Sequence, residues 1–365
     1  MKVLQVVSIS FSLKYFIGNQ FKYFKDRGVR FYVSCSPSDS LDSYADEMGF
    51  SVFPVEISRS ISPLQDLKSI FKLYKYIKEN DFDVVIAHSP KGGLVGMISS
   101  FLAKTPKRVF FRHGLVFETS SGLKRQLLIF IEKLTSRCAH TVVNVSQSVQ
   151  DEAIKLSLNR QEKNLILGRG TCNGINIDNF KPRQKVRYIS ETVVGFVGRL
   201  SNDKGITELV GSWELLLKKY KNIRLLLIGP IDDRDGLVPE TLDKIDKLES
   251  IEYLGAVDDT SRLYNDMDIF VLPSYREGFP TVTLEASASA LPIVTTKKTG
   301  CIDSIIENHT GIFTELNPEA IAGAIEFYIL NKDVAIQHGD NGRKFVVDNF
   351  SEEKIYNIID EKLLS

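Results

Sequence analysis

Residues 193–220 read VVGFVGRLSNDKGITELVGSWELLLKKY, and their order of strand, polar turn and helix decides the fold. Val193–Val197 is a short, near-continuous apolar run, the pattern of a parallel strand covered on both faces. Gly198–Gly205 supplies turn residues, and from Ile206 to Tyr220 apolar positions recur three and four apart, the helical period. Working forwards, Ile223–Ile228, Ile251–Leu254, Ile269–Leu272 and Ile293–Thr295 read as further strands. Working backwards, so do Val3–Ser8, Arg30–Cys35, Ser51–Val55, Asp83–Ala87, Arg108–Arg112 and Thr141–Val145. Helical spacing lies between them, as at Leu64, Leu67, Ile70, Phe71, Tyr74 and Ile77. Such alternation predicts an α/β protein built on doubly wound parallel sheets.

A chain of 365 residues suits two domains better than one core. Gly168–Ser190 is rich in Gly, Asn, Lys and Arg without a clean period, and we place the linker there. The expected domains are 1–185 and 186–350, with a terminal helix over 351–365 packing back on the first. Ligands of doubly wound sheets sit at the carboxyl ends of the strands, so two Rossmann-like domains are expected to face a central cleft.

The composition, 43% hydrophobic and 25% charged, is that of a soluble globular chain. No run of about 18 apolar residues spans a bilayer, and MKVLQVVSIS reads as a first strand, not a leader. Cys35, Cys138, Cys172 and Cys301 lie far apart without metal-ligand or redox spacing, which fits a reduced cytoplasmic protein. Residues 1–185 hold 27 Lys/Arg against 16 Asp/Glu, a net of +11, and the balanced total leaves −11 for the rest. A basic half fits an anionic membrane surface or a phosphorylated acceptor; an unevenly charged solvated surface accounts for it too. We expect no nucleic-acid partner.

Two motifs follow strands of the second half. Arg199 and Lys204, five apart at a strand end and before a helix, can grip a diphosphate from two sides, by planar fork and point charge. A polar turn with two solvated cations is the plainer account. After Ile269–Leu272 comes Ser274-Tyr275-Arg276-Glu277-Gly278-Phe279-Pro280, with Glu285 eight residues beyond Glu277. Carboxylates accept hydrogen bonds from vicinal hydroxyls, so one fits a sugar and the other a ribose. Asp266-Met267-Asp268 mimics a metal-binding D-x-D, yet it directly precedes a strand, where capping is the better explanation.

Together these residues resemble glycosyltransferase family 4, the retaining group with the two-domain GT-B fold. The E-G-F-P-x-x-x-x-E signature is met at Glu277, Gly278, Phe279, Pro280 and Glu285, and G-R-L-x-x-x-K-G at Gly198–Gly205. The resemblance implies that Arg199 and Lys204 neutralise the diphosphate of a nucleotide-sugar donor, with no metal or other cofactor. It implies that Glu277 holds donor-sugar hydroxyls and Glu285 the ribose. The backbone of Gly278, Phe279 and Pro280 would border phosphate and sugar, with Gly255 and Val257 at the base. In Phe110-Phe111-Arg112-His113-Gly114, His113 looks like the family's active-site histidine, which touches the donor sugar or its phosphate. The family's glycine-rich loop after the first strand is replaced by Ser8-Ile9-Ser10-Phe11-Ser12, and its later glycine pair survives only as Thr299-Gly300-Cys301-Ile302-Asp303.

The acceptor side is read from His88-Ser89-Pro90-Lys91-Gly92-Gly93, a strand end opening a helix that fits an acceptor phosphate or an ordinary turn. His88, Lys91, Gly92 and Arg112 are the candidates. The chain is also similar to transferases of capsule, O-antigen and glycan assembly. That implies a retaining hexosyltransferase moving a sugar, UDP-linked by expectation, to a hydroxyl of a polyprenyl-diphosphate-linked saccharide. Gly122–Lys133 mixes basic and apolar positions, as a helix resting on the inner face of the cell membrane does; a core-packed amphipathic helix reads the same way. A nucleotide-sugar 2-epimerase and a non-catalytic two-domain binding protein are the rival readings. A nicotinamide enzyme is disfavoured, since no G-x-G-x-x-G follows the first strand.

Overall fold

The computed structural model describes residues 1–58, 60, 62–182, 191–233 and 235–365. Among these, the first sheet has strands β1 (Lys2–Ile9), β2 (Arg30–Ser36), β3 (Ser51–Val52), β4 (Val84–His88), β5 (Lys107–Arg112), β6 (Thr141–Asn144) and β7 (Asn164–Leu165). They run parallel in the order β3-β2-β1-β4-β5-β6-β7. The second sheet has β8 (Thr192–Val197), β9 (Ile223–Ile228), β10 (Ile251–Tyr253), β11 (Ile269–Leu272), β12 (Ile293–Thr296) and β13 (Gly311–Thr314). Its parallel order is β10-β9-β8-β11-β12-β13. Each sheet is doubly wound, as the apolar periodicity predicts.

The strand order reverses once in each sheet, between β1 and β4 and between β8 and β11. At such a switch point the loops leaving two adjacent strands diverge to opposite faces and open a crevice at their carboxyl ends. The register Val6↔Ala87 brings the end of β1 beside the end of β4. Ile269↔Val194 and Phe270↔Gly195 set β11 beside β8. Every candidate loop described below leaves one of these four strands, their neighbours β5, β9 and β12, or the edge strand β10.

Burial explains why the strands read as continuous apolar runs. Val3, Leu4, Val6 and Val7 are all buried in β1, with Gln5 the one polar residue among them. Helices cover both faces, so neither parity of the strand meets water. The core of the second sheet gathers around Trp213, Tyr264, Phe196 and Phe270. Each such side chain contributes roughly 1.5–3 kcal/mol when removed from water.

The chain divides into two compact units, Met1–Gly174 with Glu353–Ser365, and Ile175–Glu352. The division falls inside the Gly168–Ser190 stretch; the 185/186 junction expected from sequence lies outside the described residues. The closing helix, Glu352–Ile359, and the wider turn Asp360–Leu364 bury Ile355, Tyr356, Ile359, Leu363 and Leu364. Tyr356 donates to Asn173 Oδ1 at 3.2 Å, and its ring lies 5.0 Å from that of Tyr23.

Candidate active site

In the second unit the loop leaving β8 is pinned at once. Gly198 N donates to Ile228 O (2.9 Å) and Leu200 N to Pro230 O (2.8 Å). Asn202–Lys204 makes one tight turn, and Gly205, at φ +69°, admits the helix Ile206–Leu217. A Cβ at Gly205 would strike the carbonyl of Pro273, just after β11, so glycine is what lets the two loops touch.

That approach brings Lys204 onto the second motif. Its ammonium binds Glu277 Oε1, which also accepts from Ser274 Oγ at 2.9 Å. Both members of the ion pair are largely buried, with side-chain exposures of 13% and 15%. Gly300, at φ +77°, lies against the Glu277–Gly278 backbone, where a Cβ would come within 2.6 Å of Glu277 O and Gly278 O. Glu277 N donates to Thr299 O (2.8 Å), so the turn after β12 fixes the acidic loop from behind.

Asp203, an unspecified position within the first motif, ties the loops together. It accepts from Ser201 Oγ (2.5 Å) and Arg276 Nη2 (3.4 Å), while its carbonyl accepts from Tyr275 N (2.9 Å). Burial alone would push its pKa up. The Ser201 hydrogen bond and the charges of Lys204, Arg276 and Arg199 outweigh burial and hold it below the usual value. Three cations therefore converge on this loop pair, each facing a carboxylate: Lys204 with Glu277, Arg276 with Asp203 and Arg199 with Asp232. Arg199 is 43% exposed and pairs with the buried Asp232, a second partner absent from the motif.

Glu285 lies on the helix Thr281–Ala288, and its Oε2 accepts from Tyr264 Oη at 2.6 Å. Desolvation, reinforced by Asp259 and opposed by the Tyr264 bond, pushes the Glu285 carboxyl up to about 7. The Phe279 side chain packs on the cluster of Leu284, Phe345 and Phe350, its ring 5.4 Å from that of Phe350. Gly255 O accepts from Gly229 N (2.8 Å), and Val257 packs on the core of this unit. Asp268 Oδ2 accepts from Val193 N at 2.9 Å and so holds the start of β8.

In the first unit the buried His88 and the half-buried His113 form one hydrogen-bonded chain. His88 Nδ1 lies 2.9 Å from His113 Nε2, and His88 Nε2 lies 2.9 Å from Gln5 Oε1. Burial pushes His88 down to about 3; burial and then His88 lower His113 as well. The Ser8–Ser12 segment opens into the short helix Phe11–Phe16, which lays Phe16 over His113 at 3.7 Å between ring centroids. Neither Gln5 nor Phe16 belongs to a motif. The signal for Gln5 was one polar residue inside an apolar strand, a position that demands a buried partner.

The remaining first-unit candidates are engaged within their own unit. Arg112 has no exposed side-chain surface. It donates to Glu132 (2.7 Å), Asn144 (2.7 Å), Ser136 (2.8 Å) and Asn159 (2.9 Å). Its place at the end of β5 turns its guanidinium inward onto these four partners. Lys91 binds both carboxylate oxygens of Asp66, at 2.6 Å to Oδ1. Gly92 N donates to Ser8 Oγ at 3.0 Å, so that amide already has an internal acceptor.

Comparison with known proteins places these loops in context. Residues 191–331 match the model for glycosyl transferases of group 1, and residues 15–170 that for a glycosyl transferase 4-like domain. The chain is 32% identical over 364 residues to the capsular polysaccharide biosynthesis glycosyltransferase CapM of Staphylococcus aureus, covering 97% of this chain and 94% of that protein. It is 28% identical to the N,N'-diacetylbacillosaminyl-diphospho-undecaprenol alpha-1,3-N-acetylgalactosaminyltransferase of Campylobacter jejuni, over 80% of each chain. Among solved structures, Anabaena HepE with UDP and glucose superimposes with a TM-score of 0.83 at 21% identity, over 100% of this chain and 99% of that one.

Proposed function

Because this chain belongs to the group 1 glycosyltransferases, we propose that it moves a hexosyl or N-acetylhexosaminyl group from a uridine diphosphate donor to a lipid-linked saccharide, with retention. The acceptor is a hydroxyl of a polyprenyl-diphosphate-linked saccharide in surface-polysaccharide assembly. Support for the setting comes from the capsular relative, and for the acceptor from the undecaprenol-linked substrates named for relatives of Campylobacter jejuni and Escherichia coli. Support for the base comes from the UDP bound by Anabaena HepE and from the UDP-Gal named for the Escherichia coli relative.

The observation that carries the reading is the meeting of Lys204, Glu277 and Ser274 at the β8–β11 switch point, with Arg199 and Arg276 close enough to act on Asp203. In the reaction the bond from the anomeric carbon to the diphosphate oxygen breaks, and a new bond to the acceptor oxygen forms on the same face. The acceptor's proton passes to the departing diphosphate. Arg199 and Lys204 stabilise the charge growing on that leaving group, an interaction stronger in the transition state than in the ground state. Glu277 takes hydroxyls of the sugar, Glu285 those of the ribose, and His113 orients the substrate. Backbone of Gly278, Phe279 and Pro280 borders phosphate and sugar, and Gly255 and Val257 border the base. Of the acceptor candidates, His88 supports His113 from within, while Lys91, Gly92 and Arg112 already hold partners of their own unit. Lys204→Ala and Glu277→Ala should both abolish transfer with the fold retained; full activity in both would overturn the reading.

The proposed location is the cytoplasmic face of an anionic membrane. The helix Gly122–Cys138 exposes Leu123 (83%), Leu127, Phe130 and Leu134, and the helix Pro63–Asn80 exposes Leu64, Leu67 and Phe71. Both flank the helix Pro90–Leu102. Glu132 and Asp66 turn inward to Arg112 and Lys91, leaving Lys124, Lys133, Arg137, Lys68, Lys72 and Lys75 beside the exposed apolar rows. That pairing of apolar row and basic flank suits a headgroup boundary. Co-sedimentation with anionic vesicles should be strong at low salt and fade as salt rises; no binding at low salt would contradict it.

A further inference from the structure

The histidine chain of the first unit has a direction. Gln5 presents its oxygen, an acceptor, to His88 Nε2 at 2.9 Å, so that nitrogen carries the hydrogen. His88 is 2% exposed, and an uncompensated imidazolium at that depth is strongly disfavoured. A neutral His88 protonated at Nε2 has a bare Nδ1. That nitrogen, 2.9 Å from His113 Nε2, can only accept, so His113 is protonated at Nε2. A neutral His113 then also has a bare Nδ1. His113 is half-buried, makes no other hydrogen bond among the described residues, and has one face covered by Phe16.

We infer that Gln5 and His88 are positioning residues that set the tautomer of His113, so that its Nδ1 accepts a hydrogen bond from a sugar hydroxyl instead of donating to a phosphate. The inference rests on the glycosyltransferase reading and narrows it. A bare imidazole nitrogen set against a phosphate oxygen opposes lone pair to lone pair; against a hydroxyl it completes a hydrogen bond. The two rings and the amide thus form a relay of fixed polarity. Its far end, Gln5, lies in the middle of β1, where the backbone ladder holds it. No proton moves along the relay during the reaction.

The test reads the tautomers directly. Long-range proton–nitrogen NMR on protein labelled with 15N-histidine resolves five ring systems, and His88→Asn and His113→Asn assign the two that matter. Both rings are expected to be protonated at Nε2 and bare at Nδ1 at neutral pH. A proton on Nδ1 of either ring overturns the inference, because it means that the Gln5 amide faces the other way and His113 donates. A kinetic arm compares nucleotide sugars lacking one hydroxyl. In the wild type one deoxy donor should lose about tenfold in kcat/KM, the worth of one hydrogen bond in a desolvated site. Gln5→Glu, still an acceptor, should keep that discrimination, and Gln5→Leu should erase most of it. Equal discrimination in Gln5→Leu and wild type would also overturn it. If the wild type transfers sugar while Nδ1 is protonated, only this assignment falls. If the wild type consumes no nucleotide sugar, the functional reading falls and takes the assignment with it.

Discussion

Removing the ammonium of Lys204 should cost stability and activity for separable reasons. In Lys204→Ala, Glu277 keeps the Ser274 hydroxyl but loses its counter-ion in a pocket that leaves only 15% of its side chain exposed. Breaking a fully buried pair on one side costs about 3–5 kcal/mol. With Ser274 still donating and some solvent contact retained, about 2–3 kcal/mol is the expected cost here. The double variant Lys204→Met, Glu277→Gln leaves no orphaned charge and should return to within about 1 kcal/mol of the wild type. Activity should not return with it, since neither replacement can stabilise a departing diphosphate; kcat should stay down by roughly 100-fold or more. Urea unfolding followed by tryptophan fluorescence suits this test, because Trp213 is the chain's one tryptophan and is fully buried in the unit that holds the pair. A double variant as unstable as Lys204→Ala would refute the electrostatic argument. A stable double variant with wild-type turnover would refute the catalytic one.

Other expectations concern pH and packing. His88 and His113 titrate below their ordinary value when folded, so the stability they lend is complete above about 6.5 and is lost as pH falls. Each should add about 1.4 kcal/mol per pH unit to the acid slope. His88→Asn should flatten that slope in urea titrations between pH 6 and 4, and an unchanged slope would count against a neutral pair. Glu285 behaves oppositely. Its folded value of about 7 lies above the ordinary carboxyl's, so its contribution is complete below about 4.5 and is lost as pH rises through 7. Glu285→Gln should therefore be more stable than the wild type at pH 8 but not at pH 4, as differential scanning calorimetry can check. Gly300→Ala forces a side chain into the left-handed region and against the Glu277 backbone; we expect a loss of roughly 1–3 kcal/mol and a raised KM for the donor. Steady-state kinetics with an unchanged KM would show that the acidic loop tolerates the shift.

Much of the fold was legible because both sheets are covered on two faces. Their central strands are apolar without alternation, and helices such as Pro63–Asn80 carry a 3.6 period. The edges were not. Asn164–Leu165 is two residues long, and Gly311–Thr314 is short and only partly apolar; periodicity over so few positions has no power. The loops after β8 and β11 could be read as site-bearing from their place after strands. That they touch depends on β11 pairing with β8, a long-range fact no local spacing contains. The side-chain partners were the least accessible part. Asp203 and Asp232 look like ordinary turn acids until the fold turns them toward Lys204, Arg276 and Arg199. Arg112 shows the reverse, because a strand buried on both faces gives no hint of which way its last charge points.

The central claim, that the cations beside the β8–β11 switch point hold the diphosphate of a nucleotide sugar, is tested most directly by isothermal titration calorimetry with uridine, UMP and UDP. The wild type should bind UDP far more tightly than UMP or uridine, and Lys204→Met and Arg199→Met should each remove at least about tenfold of that preference while uridine binding is unchanged. Equal affinity of the wild type for uridine and UDP, or a diphosphate preference untouched in both variants, would contradict it.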